Sequence, residues 1–221
     1  MTRPRLVVLV SGRGRNLRAL VEAIRDGRIP AACAGVISNR AEAPALAYAR
    51  TMDLPHFVLS HRAFATRAAY DAALTARLRA LGADFVALAG FMRVLGDELV
   101  GEFEGRMLNI HPSLLPKYPG LDTHRRALAA GDVEHGATVH FVTRELDGGP
   151  RVIQGALKIH PQDDAETLAA RVLEEIELKI YPQALAWLAR GELRYGAGAA
   201  WFRGRRLDAP LSMEHLEEGF R

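Results

Sequence analysis

Short, continuous apolar runs in this chain take turns with amphipathic segments that close on glycine, and no other feature constrains the fold as much. "RLVVLV" at 5–10 has no polar face, as a strand covered on both sides requires. "NLRALVEAIRDG" at 16–27 follows, with Leu17, Leu20, Val21 and Ile24 at helical spacing and Gly27 at its close. The alternation continues with "ACAGVIS" as a strand, "APALAYARTM" as a helix and "HFVLS" (56–60) as a strand. A helix over 63–82 ending in Gly82 and a strand "DFVALAG" (84–90) complete it. Repeated units of this kind pair in parallel through right-handed crossovers. The fold class is therefore α/β, a Rossmann-like doubly wound, mostly parallel sheet.

After "RMLNI" come a proline-rich loop, a helix near 122–131, the strands "GATVHFVT" and "PRVIQGALKI", and a long helix over about 164–190. "AAWFRGRRL" reads as a small C-terminal hairpin turning at Arg203-Gly204. A single domain over 1–208 is predicted, in halves of about 1–105 and 106–208, with a tail at 209–221.

Composition removes several functional classes. At 221 residues, 49% hydrophobic and 25% charged, the chain can bury a sizeable core. Net charge is +3, with arginines clustered only at Arg13–Arg18 and Arg203–Arg206, too dispersed for a polyanion-binding face. No nucleic-acid partner is expected, and a small anionic substrate fits. One cysteine, Cys33 in "AACAGVIS", excludes an intramolecular disulfide and reads as a buried strand position. The N-terminal apolar core is too short for a signal peptide, and no run reaches the roughly 18 apolar residues of a membrane span. A soluble cytoplasmic protein without membrane contact is expected. The histidines form neither H-x-x-x-H nor H-E-x-x-H, so no metal is expected.

Two places carry chemistry. "SGRGRN" at 11–16 joins the first strand to the first helix, with Gly12 and Gly14 free to turn tightly and Asn16 placed to cap the helix. A helix N-terminus behind such a loop suits a phosphate, and Arg13 and Arg15 add charge. Leu17 stands where a third glycine would complete a dinucleotide fingerprint, and Glu42 lies beyond the end of the second strand. The loop is thus either a bare tight turn or a site for a mononucleotide or sugar phosphate.

The second place is "MLNIHPSLLPKYPGL" at 107–121, where a buried strand ends in Asn109 and His111 before three prolines. Residues two apart share a strand face, and ligands of open parallel sheets bind at strand carboxyl ends. An amide beside an imidazole can stabilise an oxyanion and move a proton, as acyl transfer to an amine requires. A strand-capping Asn and a backbone-bonded His are the structural alternative. Asp147, in "ELDGGP", either closes its own turn or faces His111 and favours the imidazolium. No G-x-S-x-G nucleophile motif is present.

"VLVSGRGRN", "AGFMRVL", "NIHPSLLPKYPGL" and "HGATVHFVTRELDGGP", in this order, resemble the phosphoribosylglycinamide formyltransferases over roughly residues 5–208. The resemblance implies transfer of a formyl group from 10-formyltetrahydrofolate to the amine of glycinamide ribonucleotide, in purine (IMP) biosynthesis. Asn109, His111 and Asp147 then match the catalytic trio. Gly14, Arg15 and Asn16 match the loop holding the substrate phosphate, and Glu177 matches a contact to the ribonucleotide. Met92, Arg93, Val94 and Leu95, with Asn109, match the folate-facing positions, and Arg67 matches a further folate contact. The first half would hold phosphate and the second would carry folate and catalysis, in a monomer or weak homodimer.

Three departures stand out. Arg15 replaces the usual Ser or Thr, Leu178 replaces a His before "IYP" with spacing one residue longer, and "GATVH" replaces "GTSVH". Related methionyl-tRNA formyltransferases and formyltetrahydrofolate deformylases share the Asn-x-His end but differ after it. Weak charge clustering counts against the former, as does the lack of a C-terminal tRNA-binding domain. A first strand beginning at residue 5, with no preceding regulatory domain, counts against the latter.

Overall fold

A computed structural model describes residues 3–221, which divide into two compact units at Asn109/Ile110. In the first unit β1 (Arg5–Val10), β2 (Ala32–Ser38), β3 (His56–Val58), β4 (Phe85–Leu88) and β5 (Met107–His111) alternate with α1 (Arg15–Arg25), α2 (Pro44–Thr51), α3 (Arg67–Ala80) and α4 (Asp97–Glu102). The strands pair in parallel in the order β3-β2-β1-β4-β5. None of Leu6–Val10 is more than 1% exposed, so β1 is covered on both faces as its unbroken apolar run requires. Leu17, Leu20, Val21 and Ile24 are the buried stripe of α1, as their spacing predicts. Cys33 lies in β2 as read, but near its start and only half-buried rather than buried; its partial burial still pushes the thiol up to about 11.

Local chemistry shifts some boundaries. Asn16 is not the cap of α1 but its second residue: the cap is Gly14, in the left-handed conformation with φ 76°. The long helix predicted from 63 begins at Arg67, because Thr66 caps it by accepting the Ala69 N–H at 3.1 Å. Residues 61–63 form a 3₁₀ turn instead, and β3 ends at Val58 rather than at 60.

In the second unit β5 ends in Ile110 and His111, and α5 (Thr123–Ala129) follows the proline loop. β6 (Glu134–Phe141) and β7 (Arg151–Lys158) pair antiparallel. The predicted helix over 164–190 is divided into α6 (Ala165–Val172), a π turn (Leu173–Glu177) and α7 (Leu178–Ala189). A π turn takes one extra residue into a helix without ending it, which accommodates the longer spacing before "IYP".

The predicted hairpin joins β9 (Ala199–Phe202) to β10 (Arg205–Arg206), and β8 (Leu193–Gly196) extends it to three strands. Residues 209–221 pack within this unit. The Leu211 N–H donates to the Val152 carbonyl and its own carbonyl accepts from Gln154, while Leu216 and Phe220 are buried. Among the described residues no helix is long and apolar enough to cross a membrane.

Candidate active site

In the first unit the strand order reverses at β1, whose neighbours are β2 and β4. Crossovers from β1 and β4 leave in opposite directions there, so the loops after them border a crevice. Ser11 ties these loops together. Its Oγ–H donates to Asn39 Oδ1 at 2.6 Å, and the same oxygen accepts the Met92 N–H at 2.8 Å. Gly14 is obligatory for two reasons: its φ is left-handed, and a Cβ there would lie 2.7 Å from the Ala45 Cβ. The helix it caps carries no acid in its first turn, so its own first residues do not offset the positive end of its dipole near Gly14, Arg15 and Asn16.

Beyond Ser11, the segment Met92–Leu95 leaves Met92 58% and Val94 51% exposed, an apolar surface unusual for a polar loop. Arg67 reaches it from the start of α3, donating from Nη2 to the Leu95 carbonyl. The glycine loop and the 92–95 segment, predicted separately, are therefore joined through one hydroxyl.

In the second unit His111 closes β5 and is 5% exposed. Its Nε2 lies 2.9 Å from the Tyr118 carbonyl, which can only accept, so Nε2 carries the hydrogen. Nδ1 is then the atom at which a proton is gained or lost, and it faces Asp147 Oδ2 at 3.4 Å. Asp147 does more than close its own turn. Oδ2 accepts the Gly120 N–H at 2.8 Å, and Oδ1 faces His140 Nε2 at 3.7 Å. The left-handed φ of 52° at Asp147 is one that Asp tolerates. Gly149 lets the turn close, since a Cβ there would meet the Phe141 carbonyl at 1.9 Å.

Burial alone would raise the Asp147 pKa. The nearby His140 ring, the hydrogen bond from the Gly120 N–H and the charge of His111 outweigh it and hold the carboxyl below its usual value. For His111 the balance goes the other way. Burial lowers its pKa, and the Tyr118 carbonyl and the Asp147 charge oppose that only in part. The expected upward influence of Asp147 is present, but the net direction is downward.

Sequence reasoning did not find the parts that hold this pair. Thr138 Oγ1–H donates to the Ser113 carbonyl at 2.6 Å and accepts the Leu115 N–H at 3.1 Å. Gln154 Nε2 and Arg151 Nη1 donate to the Leu115 carbonyl at 2.7 and 2.8 Å. Together they fasten the proline loop that carries Tyr118. The signal was the polar pair Thr138 and His140 at alternate positions of an apolar strand; the Tyr118 carbonyl left none. Glu177 stands at the end of the π turn and is buried. Among the described residues no cluster of acids, histidines and cysteine could hold a metal ion.

Residues 4–185 match the formyl transferase family. The phosphoribosylglycinamide formyltransferase of Escherichia coli (strain K12) is 46% identical over 202 residues, covering 91% of this chain and 95% of that protein. The chain belongs to the phosphoribosylglycinamide formyltransferases. The Haemophilus influenzae phosphoribosylglycinamide formyltransferase is 43% identical over 203 residues, covering 92% of this chain and 95% of that protein. The solved structure of the Coxiella burnetii phosphoribosylglycinamide formyltransferase superposes with a TM-score of 0.90 at 44% identity, over 95% of this chain and 99% of that one. The chain is thus a one-carbon transferase of purine biosynthesis, on the Rossmann-like, mostly parallel α/β fold its alternation predicts.

Proposed function

We propose that this phosphoribosylglycinamide formyltransferase moves the formyl group of 10-formyltetrahydrofolate to the glycine amine of glycinamide ribonucleotide by direct attack, without an acyl-enzyme. The observation that carries the reading is His111, buried with one ring nitrogen committed to a carbonyl and the other facing the Asp147 carboxylate. As the amine adds to the formyl carbon, negative charge develops on the formyl oxygen. The Asn109 amide and a His111 protonated at Nδ1 stabilise that charge. The amine nitrogen loses a proton and the folate nitrogen takes one as the bond to the formyl carbon breaks. His111 is the donor, and Asp147 favours its cation and orders a water that relays the proton.

Gly14, Arg15 and Asn16, at the positive end of α1, bind the ribonucleotide phosphate, and Glu177 contacts the ribonucleotide. The Arg15 side chain adds a charge that the family's usual Ser or Thr lacks. Met92 and Val94 supply an apolar face for the folate ring system, with Arg93, Leu95, Arg67 and Asn109 as its further contacts. Both ligands are small-molecule substrates, and no step calls for a metal.

The test is kinetic. His111→Ala should lower turnover about 10²- to 10⁴-fold, the usual range for a general acid–base group. Unchanged turnover would remove His111 from the mechanism. Asn16→Leu should raise the KM for the ribonucleotide more than that for the folate, and an equal rise in both would count against the phosphate assignment.

A further inference from the structure

Asp71 lies in the first unit on α3, one turn after Arg67, and is 6% exposed. A carboxylate there is costly to bury, and burial raises its pKa against the opposing charge of Arg67. Its contacts account for its presence. Oδ2 lies 3.5 Å from Arg67 Nε, an i,i+4 ion pair, and the same oxygen packs against the Gly96 backbone. Arg67 in turn donates to the Leu95 carbonyl. One carboxylate therefore holds both the arginine that reaches the 92–95 segment and the backbone at that segment's end. The fit leaves no slack: a Cβ on Gly96 would lie 2.5 Å from Asp71 Oδ2.

Tyr70 and Arg93 border the same place. The Tyr70 hydroxyl, Arg93 Nε and Asp71 Oδ1 are buried atoms without a hydrogen-bond partner among the described residues. The charges of Arg93 and Asp71 both act on Tyr70. A carboxylate that left this cluster would part from the charges of both Arg67 and Arg93, so the arrangement resists rearrangement.

We infer that Asp71 is a positioning residue, which clamps Arg67 and the Leu95–Gly96 backbone so that the exposed Met92 and Val94 are presented to the folate in one fixed shape. This rests on the proposed assignment of 92–95 and Arg67 to folate. Asp71 itself touches no substrate. Its loss should weaken capture of one substrate and spare both the chemistry and the other substrate.

The experiment is steady-state kinetics of Asp71→Asn with each substrate varied in turn, beside its thermal melt. The KM for 10-formyltetrahydrofolate should rise about 10-fold, the scale of a lost charge-assisted hydrogen bond, while kcat and the ribonucleotide KM change less than about twofold. Gly96→Ala approaches the same contact from the other side at a φ of ordinary sign, so it should reproduce the selective rise without removing any charge. An unchanged folate KM in either folded variant, or equal losses for both substrates, would overturn the clamp. If Asp71→Asn does not fold, Gly96→Ala decides alone. Should the unaltered protein show no saturation with the folate at all, the functional reading falls, and that result is distinct from a folate KM that Asp71→Asn leaves unmoved.

Discussion

His111 has only one nitrogen to work with, because the Tyr118 carbonyl commits the other at 2.9 Å. Burial lowers its pKa from the usual 6.5, and the nearby Asp147 charge resists that. Removing the charge while keeping the shape should therefore lower the His111 pKa further. Proton titration of the His111 ring by NMR would show its midpoint in Asp147→Asn below that of the unaltered protein. A midpoint that stays or rises would mean that Asp147 acts on something else. His111 and Asp147 stood out in the sequence as a polar strand end and a turn carboxylate, each with a structural alternative, and the structure brings the two within 3.4 Å of one another. His140 and Thr138 were harder, since in a strand buried from His135 onward their alternation is masked by burial on both faces. A backbone carbonyl such as that of Tyr118 has no sequence signature whatever.

At the scale of elements, the glycine loop works only if α1 can start where it does. Gly14 caps that helix with φ 76°, and Ala45, in α2, fills the space where a side chain would stand. Gly14→Ala would combine the left-handed backbone cost of about 1 kcal/mol with a steric contact that α2 must yield to. A loss of about 1–3 kcal/mol in urea-unfolding stability is expected, with a raised ribonucleotide KM. Wild-type values of both would show that the loop needs no glycine there. Parallel strands and helix stripes were plain in the sequence, since continuous burial writes itself as unbroken apolar runs. Helix ends were less so. The apolar pattern from 63 runs past Thr66, and a capping hydroxyl outranks it; the π turn at Leu173–Glu177 keeps helical spacing on both sides and shows only as one surplus residue.

Across the molecule, imidazoles shielded from water shape the response to acid. His111, His124 and His135 all lie in the second unit, and burial lowers the pKa of each. His135 Nε2 and His124 Nδ1 are 3.1 Å apart, so one ring must donate to a neutral partner. For His124 the pKa falls from 6.5 to about 4, and His135 adds its own charge repulsion to the burial. Between those two values the unfolded chain binds protons that the folded chain refuses. The stability they contribute is complete above 6.5 and is lost as pH falls toward about 4. The melting temperature should drop between roughly pH 7 and 5, and His124→Asn should flatten the drop. A slope that His124→Asn leaves unchanged would place the acid sensitivity elsewhere.

On the proposed function, one formyl group passes from 10-formyltetrahydrofolate to one amine acceptor. Product formation by the purified protein, measured with and without glycinamide ribonucleotide, tests it most directly. Formylated ribonucleotide and tetrahydrofolate, appearing together and only when the ribonucleotide is present, is the predicted result. Formate released from the folate at the same rate without the ribonucleotide would contradict it, because water would then be the acceptor.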